Sequence, residues 1–169
     1  MSPLSTAVPL VTVDIPDPGN IDIAVSLGSG ATGAFLTTLF VGAILVAFAP
    51  DYTERMMATV TEDAVGSFLY GLAALLAVIV VTIALVITLV GILLAIPFAL
   101  LAAFIWAVGA SIAYLAVADR LLDRGDSWLL PLVVAALING GLTLTGIGAL
   151  VSFCVGAAGF GAVLRDRLS

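Results

Sequence analysis

Long stretches without a charged residue dominate the pattern of polar and apolar positions. Residues 23–50, 64–118 and 127–164 form three such stretches, of 28, 55 and 38 residues. Each is longer than the roughly 18 apolar residues that are typical of a transmembrane helix. The pattern therefore predicts an all-α integral membrane protein that crosses the bilayer several times.

The 55-residue stretch is too long for a single crossing. One helix of that length would measure about 80 Å, whereas the hydrocarbon core of a bilayer is about 30 Å thick. Gly91 and Pro97 are the only helix-disfavouring residues in its middle. We therefore expect two spans, at about residues 67–90 and 97–118, joined as a helical hairpin. The first stretch predicts one N-terminal transmembrane helix at about residues 31–49.

The third stretch is interrupted by Asn139, Gly140 and Gly141, which separate residues 127–138 from residues 142–164. Its first part would be only about 18 Å long as a helix, too short to cross the bilayer. It either enters the membrane and returns as a re-entrant element, or forms a short hairpin with residues 142–164. Backbone polar groups at such a turn cannot face lipid. Asn139 and Thr143 are the expected partners for them.

Arginine positions favour the hairpin and predict the orientation. Cytoplasmic segments near helix ends are enriched in Lys and Arg. All five arginines lie after predicted spans, and residues 1–30 contain none. This distribution predicts an extracytoplasmic N-terminus, a cytoplasmic C-terminus and a second hairpin that returns to the cytoplasm. The arginines are Arg55, Arg120, Arg124, Arg165 and Arg167.

Residues 1–30 are predicted to form an acidic extracytoplasmic tail before a membrane domain at residues 31–169. Apolar residues alternate with polar or small ones at positions 11–15 and 21–25, on either side of the turn-forming sequence PDPGN. This pattern is compatible with a small β-hairpin. An isolated two-stranded hairpin is only marginally stable in water, and the alternative is a flexible tail.

A short amphipathic helix is predicted at about residues 51–61. Tyr52, Met56 and Val60 recur every four residues and would form one apolar face. We expect this helix to lie at the cytoplasmic membrane interface. It either stabilises the bundle there or docks a partner protein.

Composition excludes several classes of function. The chain has no His, no Lys and a single cysteine, Cys154, and its formal net charge is −6. The usual general base and the common metal ligands are therefore missing or scarce, and we expect no catalytic, cofactor or metal site. No basic patch is present for binding nucleic acid. Cys154, between Phe153 and Val155, is expected to pack as a small buried hydrophobe.

Small residues recur every four positions in two predicted spans. One side-chain amide, that of Asn139, also lies inside an apolar stretch. Such spacing lets helix backbones approach closely in lipid. The pattern has two interpretations: packing within the chain, or a homo-oligomer interface. Asn139 and Thr143 form the candidate polar site. The small-residue positions are Ala34, Thr38 and Gly42 in the first span and Gly148, Ser152 and Gly156 in the last.

The second and third charge-free stretches resemble each other. SFLYGLAALL, from residue 67, is similar to SWLLPLVVAAL, from residue 127, and ITLVGI at residue 87 is similar to LTLTGI at residue 142. The similarity suggests that one hairpin unit is used twice, the second time in a shortened form.

Several motifs resemble an uncharacterised haloarchaeal polytopic membrane domain, of the kind found after bactofilin-like polymer-forming domains. They are APDYTERM at residue 49, SFLYGL at residue 67, ITLVGILLAIP at residue 87, and NGGLTLTGIG and GAAGFGAVLR near the C-terminus. The resemblance implies a membrane module that serves as a scaffold or anchor. The acid-rich, Lys-free composition is likewise typical of salt-adapted archaea.

The sequence thus predicts a multi-pass protein of the cell membrane, with one N-terminal transmembrane helix and two helical hairpins, the second short or re-entrant. We expect a non-enzymatic structural or interaction protein without a cofactor. Its expected partners are membrane lipid and either further copies of itself or other membrane proteins. The alternative is a small transporter or channel subunit with a polar path near Asn139.

Overall fold

The computed structural model describes residues 18–122 and 127–168. All regular secondary structure within these residues is helical, which confirms the predicted all-α class. Six helices follow one another along the chain: α1 (Pro18–Phe48), α2 (Pro50–Glu62), α3 (Ala64–Val86), α4 (Leu89–Leu121), α5 (Leu129–Thr143) and α6 (Gly146–Leu168).

Four of these helices are long and apolar enough to cross a membrane, and they contain the segments Ser26–Phe48, Ala64–Val86, Gly91–Leu121 and Ile147–Asp166. The fifth apolar helix, α5, is shorter. Large aliphatic and aromatic side chains cover much of the bundle's outer surface, as lipid-facing helices require. The helices therefore indicate a multi-pass membrane protein, as predicted.

The first hairpin turns earlier in the chain than the sequence predicted. Only Ile87 and Thr88 separate α3 from α4, and both Gly91 and Pro97 lie inside α4. The Thr88 hydroxyl accepts a hydrogen bond from the Gly91 amide at 3.0 Å, so this side chain caps the start of α4. The expectation of a break at Gly91 and Pro97 was wrong. In apolar surroundings a helix tolerates Gly and Pro, and the chain turns where a side chain can satisfy the backbone groups freed between the two helices.

The second hairpin uses the same turn. Only Leu144 and Thr145 separate α5 from α6, and the Thr145 hydroxyl accepts a hydrogen bond from the Gly148 amide at 3.0 Å. Each capping threonine also donates to the carbonyl of a leucine three residues earlier, Leu85 or Leu142. The equivalent turn residues are therefore 57 positions apart, not the 55 that the similar sequences had suggested.

Asn139, Gly140 and Gly141 lie within α5 and form no turn, which corrects the predicted division of the third stretch. The helix continues to Thr143. Backbone amides and carbonyls in a membrane have to bond to one another, which favours an unbroken helix, and the Asn139 side chain finds its partners on a neighbouring helix.

The first helix begins earlier than predicted. It includes residues 18–30, where the sequence had suggested a tail with a strand at positions 21–25. A proline at the first helical position has the backbone angle that a helix needs. The remainder of the predicted tail, residues 1–17, lies outside the described residues.

Two helix pairs establish how the bundle is arranged. The α1–α5 pair is antiparallel, since Gly30 lies beside Thr143 and Gly42 beside Leu132. The α3–α6 pair is antiparallel too, since Ser67 lies beside Gly161. The end of α1, the start of α3, the start of α5 and the end of α6 therefore share one end of the bundle, which we call the α2 end because α2 connects α1 to α3 there.

The most buried side chains lie toward the α2 end. Met56 of α2 is 1% exposed, and it belongs to one apolar cluster with Ile112 and Leu115 of α4 and Ala135 of α5. Helix α2 occupies the position predicted for the amphipathic helix. Its apolar face packs onto the bundle, so it closes one end of the core.

Candidate functional site

Asn139 connects α5 to α1 through its side-chain amide. Its Nδ2 donates to the hydroxyl of Thr38 at 2.7 Å and to the backbone carbonyl of Ala34 at 3.3 Å. Thr38 is 1% exposed. In an apolar environment a side-chain amide without partners would be costly, so the two bonds hold the helices in one register.

Thr143 belongs to the same face of α5 but bonds within its own helix. Its hydroxyl donates to the carbonyl of Asn139 at 2.8 Å. This is the common local bond of a threonine in a membrane helix, made to the carbonyl four residues earlier. Thr143 and Asn139 are therefore adjacent, but the groups they bond lie in helices and not in the turn that the sequence had suggested.

The three small residues of α1 face α5 and α4. Ala34 and Thr38 accept hydrogen bonds from the Asn139 amide. A Cβ atom at Gly42 would lie 2.6 Å from the Leu132 side chain. On the α5 side, a Cβ at Gly140 would lie 3.1 Å from the Ala31 carbonyl. These positions lie in an interface between helices of one chain.

The small residues of α6 have three different surroundings. Gly148 lies at the capped turn, where a Cβ would collide with the Leu142 carbonyl. Ser152 is half-buried. Gly156 lies against the indole of Trp106. The centroids of the Trp106 and Phe153 rings are 5.9 Å apart.

Two further glycines of α6 bring its backbone against α3 and α4. A Cβ at Gly161 would collide with the Ser67 carbonyl of α3, and one at Gly159 would collide with the Gly109 carbonyl of α4. Their partners Gly71 and Gly109 were missed by the sequence analysis. Gly71 and Gly109 each allow a close contact with a residue on another helix. The spacing of small residues within one helix therefore did not identify these two glycines.

Charged side chains of the described residues collect at the α2 end. Arg165 binds Asp63 with an N–O distance of 2.7 Å, and Arg55 lies 3.8 Å from Asp166. Arg120 donates to the Thr61 carbonyl at 3.3 Å. These contacts tie the ends of α2, α4 and α6 together, although solvent-exposed pairs of this kind stabilise proteins only weakly.

Asp63 has a lowered pKa. Its carboxylate accepts hydrogen bonds from Arg165 and from the Gly66 amide at the start of α3. The Arg165 bond, followed by the Gly66 bond, holds the pKa of Asp63 below its ordinary value of 3.8. The residue therefore stays charged and caps α3 over the physiological pH range.

Within the described part of the chain, no three His, Cys, Asp or Glu side chains are grouped so that they could hold a metal ion. Cys154 is exposed, which corrects its predicted role as a buried hydrophobe. It lies on the surface of α6 that faces a groove between α3 and α4. Small side chains, those of Ala64, Ala113, Ala116 and Ala158, also line this groove.

A family model described as a domain of unknown function (DUF8173) matches residues 3–169. The match covers nearly the whole sequence, so the chain belongs to this family. The description names neither a source organism nor bactofilin-like proteins. Comparisons with curated proteins and with solved structures gave no match.

Proposed function

We propose that this member of the DUF8173 family is a non-enzymatic integral membrane protein that acts as a scaffold or anchor. The observation that carries the proposal is the close backbone contact of α6 with α3 and α4. Gly161 lies against Ser67 and Gly159 against Gly109, so the helices leave no room for a solute to pass at these contacts. A rigid, closely packed bundle is suited to holding partners in the membrane.

The hydrogen bonds of Asn139 support the same proposal. The one amide inside the apolar stretches bonds Thr38 and Ala34, which joins two helices. Further copies of this chain or other membrane proteins are the proposed partners, together with lipid.

Crosslinking in native membranes followed by affinity purification tests this function. A scaffold should retain one or more membrane proteins in fixed proportion, or further copies of itself. Recovery of the protein as a monomer with no reproducible partner would contradict the proposal. Gly33→Cys, at an open position of α1, is a suitable site for detecting contact between copies.

A small transporter or channel subunit is the alternative, and one observation favours it. The buried hydroxyls of Tyr114 and Ser152 lie close to each other, and neither has a further hydrogen-bond partner among the described residues. Buried hydroxyls of this kind bind water where a site has room. Ion or solute flux through purified protein in liposomes, abolished by Ser152→Ala or Asn139→Leu, would establish this function. Absence of flux would favour the scaffold.

The proposed topology has five crossings, with the N-terminus outside and the α2 end in the cytoplasm. Arg55, Arg120 and Arg165 all lie at the α2 end, which agrees with the enrichment of arginine in cytoplasmic segments. In this arrangement α5 is a short crossing that packs on α1. Both hairpin turns then face the outside.

Single-cysteine variants in a Cys154→Ala background test the topology. A membrane-impermeant maleimide should label Ser26→Cys in intact cells, and it should label Ser127→Cys only after the membrane is opened. The reverse labelling would overturn the orientation, and labelling of both in intact cells would overturn the number of crossings.

We also propose a salt-adapted source for the protein, supported by eleven acidic residues and the absence of lysine. The unfolding temperature in detergent should then rise strongly between low and molar KCl concentrations, because salt screens the repulsion among acidic side chains. An unchanged unfolding temperature would argue against such a source.

A further inference from the structure

An apolar groove of about 400 Å³ opens on the side of the bundle near the α2 end. The residues that line its walls and floor come from four helices. They include Val60 of α2, Ala64 and Phe68 of α3, Val117 of α4, and Cys154 and Ala158 of α6. Its volume lies within the range of small-molecule binding sites.

Among the described residues that line this mainly apolar groove, one is charged. Arg120, at the end of α4, is exposed, and in the described part of the chain its guanidinium makes one hydrogen bond, to the Thr61 carbonyl at 3.3 Å. An arginine side chain carries five N–H donors. By contrast, Arg165 and Arg55 are close to carboxylates, those of Asp63 and Asp166.

We propose that the groove binds one anionic glycerophospholipid, with a hydrocarbon chain along its apolar walls and the phosphate at Arg120. Charge complementarity selects this occupant, since the one charged side chain among the described residues that line the groove is positive and arginine forms well-directed bonds to phosphate. A chain in the groove would extend from the α2 end, where headgroups lie in the proposed topology, toward the middle of the bundle.

The volume of the groove argues against a helix as the occupant. A helix about 10 Å across would fill 400 Å³ within roughly one turn. A single hydrocarbon chain is much narrower and would extend along the groove.

Two carboxylates limit the strength of the expected binding. Glu54 and Asp119 border a neighbouring groove that Arg120 also lines. An interfacial arginine typically contributes about 1 kcal/mol to the binding of an anionic lipid, which corresponds to roughly fivefold in affinity. We therefore expect the groove to bind an anionic lipid about fivefold more tightly than a zwitterionic one.

Native mass spectrometry of the full-length protein in detergent, titrated with phosphatidylglycerol or phosphatidylcholine, tests the proposal. The unmodified protein should retain one phosphatidylglycerol molecule about fivefold more tightly than phosphatidylcholine. Arg120→Gln should remove this preference. The matched control, Arg55→Gln, removes an arginine at the same end of the bundle but outside the groove, and should keep the preference.

Cys154→Phe tests the apolar half of the site. Because Cys154 is exposed in the groove, a larger side chain there should fill the groove without disturbing the core. This variant should weaken the binding of both lipids at least fivefold. Equal affinity for the two lipids in the unmodified protein, or no effect of either Arg120→Gln or Cys154→Phe, would overturn the proposal. Thiol crosslinking of Cys154 in native membranes to a helix of another protein would also overturn it.

Discussion

Helices α3 and α6 associate differently from helices α1 and α5, although both pairs are antiparallel and apolar. In the α3–α6 pair, glycines bring the backbones together, with Gly161 against Ser67 and Gly71 against Ala157. In the α1–α5 pair, the Asn139 side chain donates hydrogen bonds across the interface. Water cannot drive helices together inside a bilayer, so van der Waals contact and hydrogen bonding take its place. Both pairs pack closely at glycines, and the α1–α5 pair adds the hydrogen bonds of Asn139.

The largest expected effect comes from breaking the backbone contact of α3 with α6. Gly161→Leu places a side chain where the Ser67 carbonyl lies, and it should lower the free energy of unfolding by about 3 kcal/mol or prevent folding. Unfolding in a dodecyl sulfate titration, followed by far-ultraviolet circular dichroism, measures the loss.

Two companion variants keep this prediction testable. Gly161→Ala adds a single methyl group and should produce a smaller loss of the same sign. Gly33→Leu, at a position of α1 where a Cβ meets no atom within 4 Å, should leave stability nearly unchanged. If Gly161→Ala and Gly33→Leu lowered the free energy of unfolding equally, the close contact between Gly161 and Ser67 would not stabilise the bundle.

A smaller effect is expected from removing the hydrogen bonds of the α1–α5 pair. Asn139→Leu should lower the free energy of unfolding by about 1 kcal/mol, since hydrogen bonds between membrane helices contribute modestly. Thr38→Val removes the acceptor of the 2.7 Å bond. In the double variant the two losses should not add, because both remove the same bond. Fully additive losses would contradict the proposed role of this contact.

The two hairpin turns can be compared with each other, because each is capped by a threonine. Removing either cap should lower the free energy of unfolding by a still smaller amount. Thr88→Val and Thr145→Val each remove a capping hydroxyl that accepts from a glycine amide at 3.0 Å. Each should lower the free energy of unfolding by about 0.5–1 kcal/mol, and the two losses should be similar. Clearly unequal losses would show that the turns are not equivalent in energy.

The smallest effect concerns Asp63 and its dependence on pH. Because Arg165 and the Gly66 amide hold the pKa of Asp63 below 3.8, its charged form stabilises the folded protein. This contribution is complete above the unfolded pKa of about 3.8 and is lost as the pH falls through the lower folded value. Thermal unfolding in detergent at pH 7 should therefore show Asp63→Asn slightly less stable than the unmodified protein. The difference should shrink below pH 4, and a difference that grew with acidification would contradict this assignment.

The positions of the turns show where sequence reasoning was limited. Gly91 and Pro97 were expected to separate two spans, and Asn139 to Gly141 two others, on the rule that such residues end helices in water. Inside the bundle both groups are helical. The turns lie instead at two threonines, Thr88 and Thr145, each of which caps the start of the next helix and stands three positions before a glycine. That short pattern was present in the sequence, but its role depends on the geometry of the cap.

The candidate site was predictable in its residues but not in its contacts. Asn139 was identified because it is the only amide inside an apolar stretch, and Ala34, Thr38 and Gly42 because they are small and regularly spaced. Their association across α1 and α5 could not be predicted, since many pairings of five apolar helices are compatible with one pattern. Gly71 and Gly109 escaped notice for the same reason.

The sequence by itself determined the class of this protein and the placement of its charges. Apolar stretches of sufficient length must be helical in a bilayer, because their backbone amides and carbonyls have to bond to each other there. Tertiary structure decided which helices touch, and that Arg120 borders an open groove while Arg165 is paired. These features depend on distances between residues far apart in the chain, and no local pattern of residues encodes them.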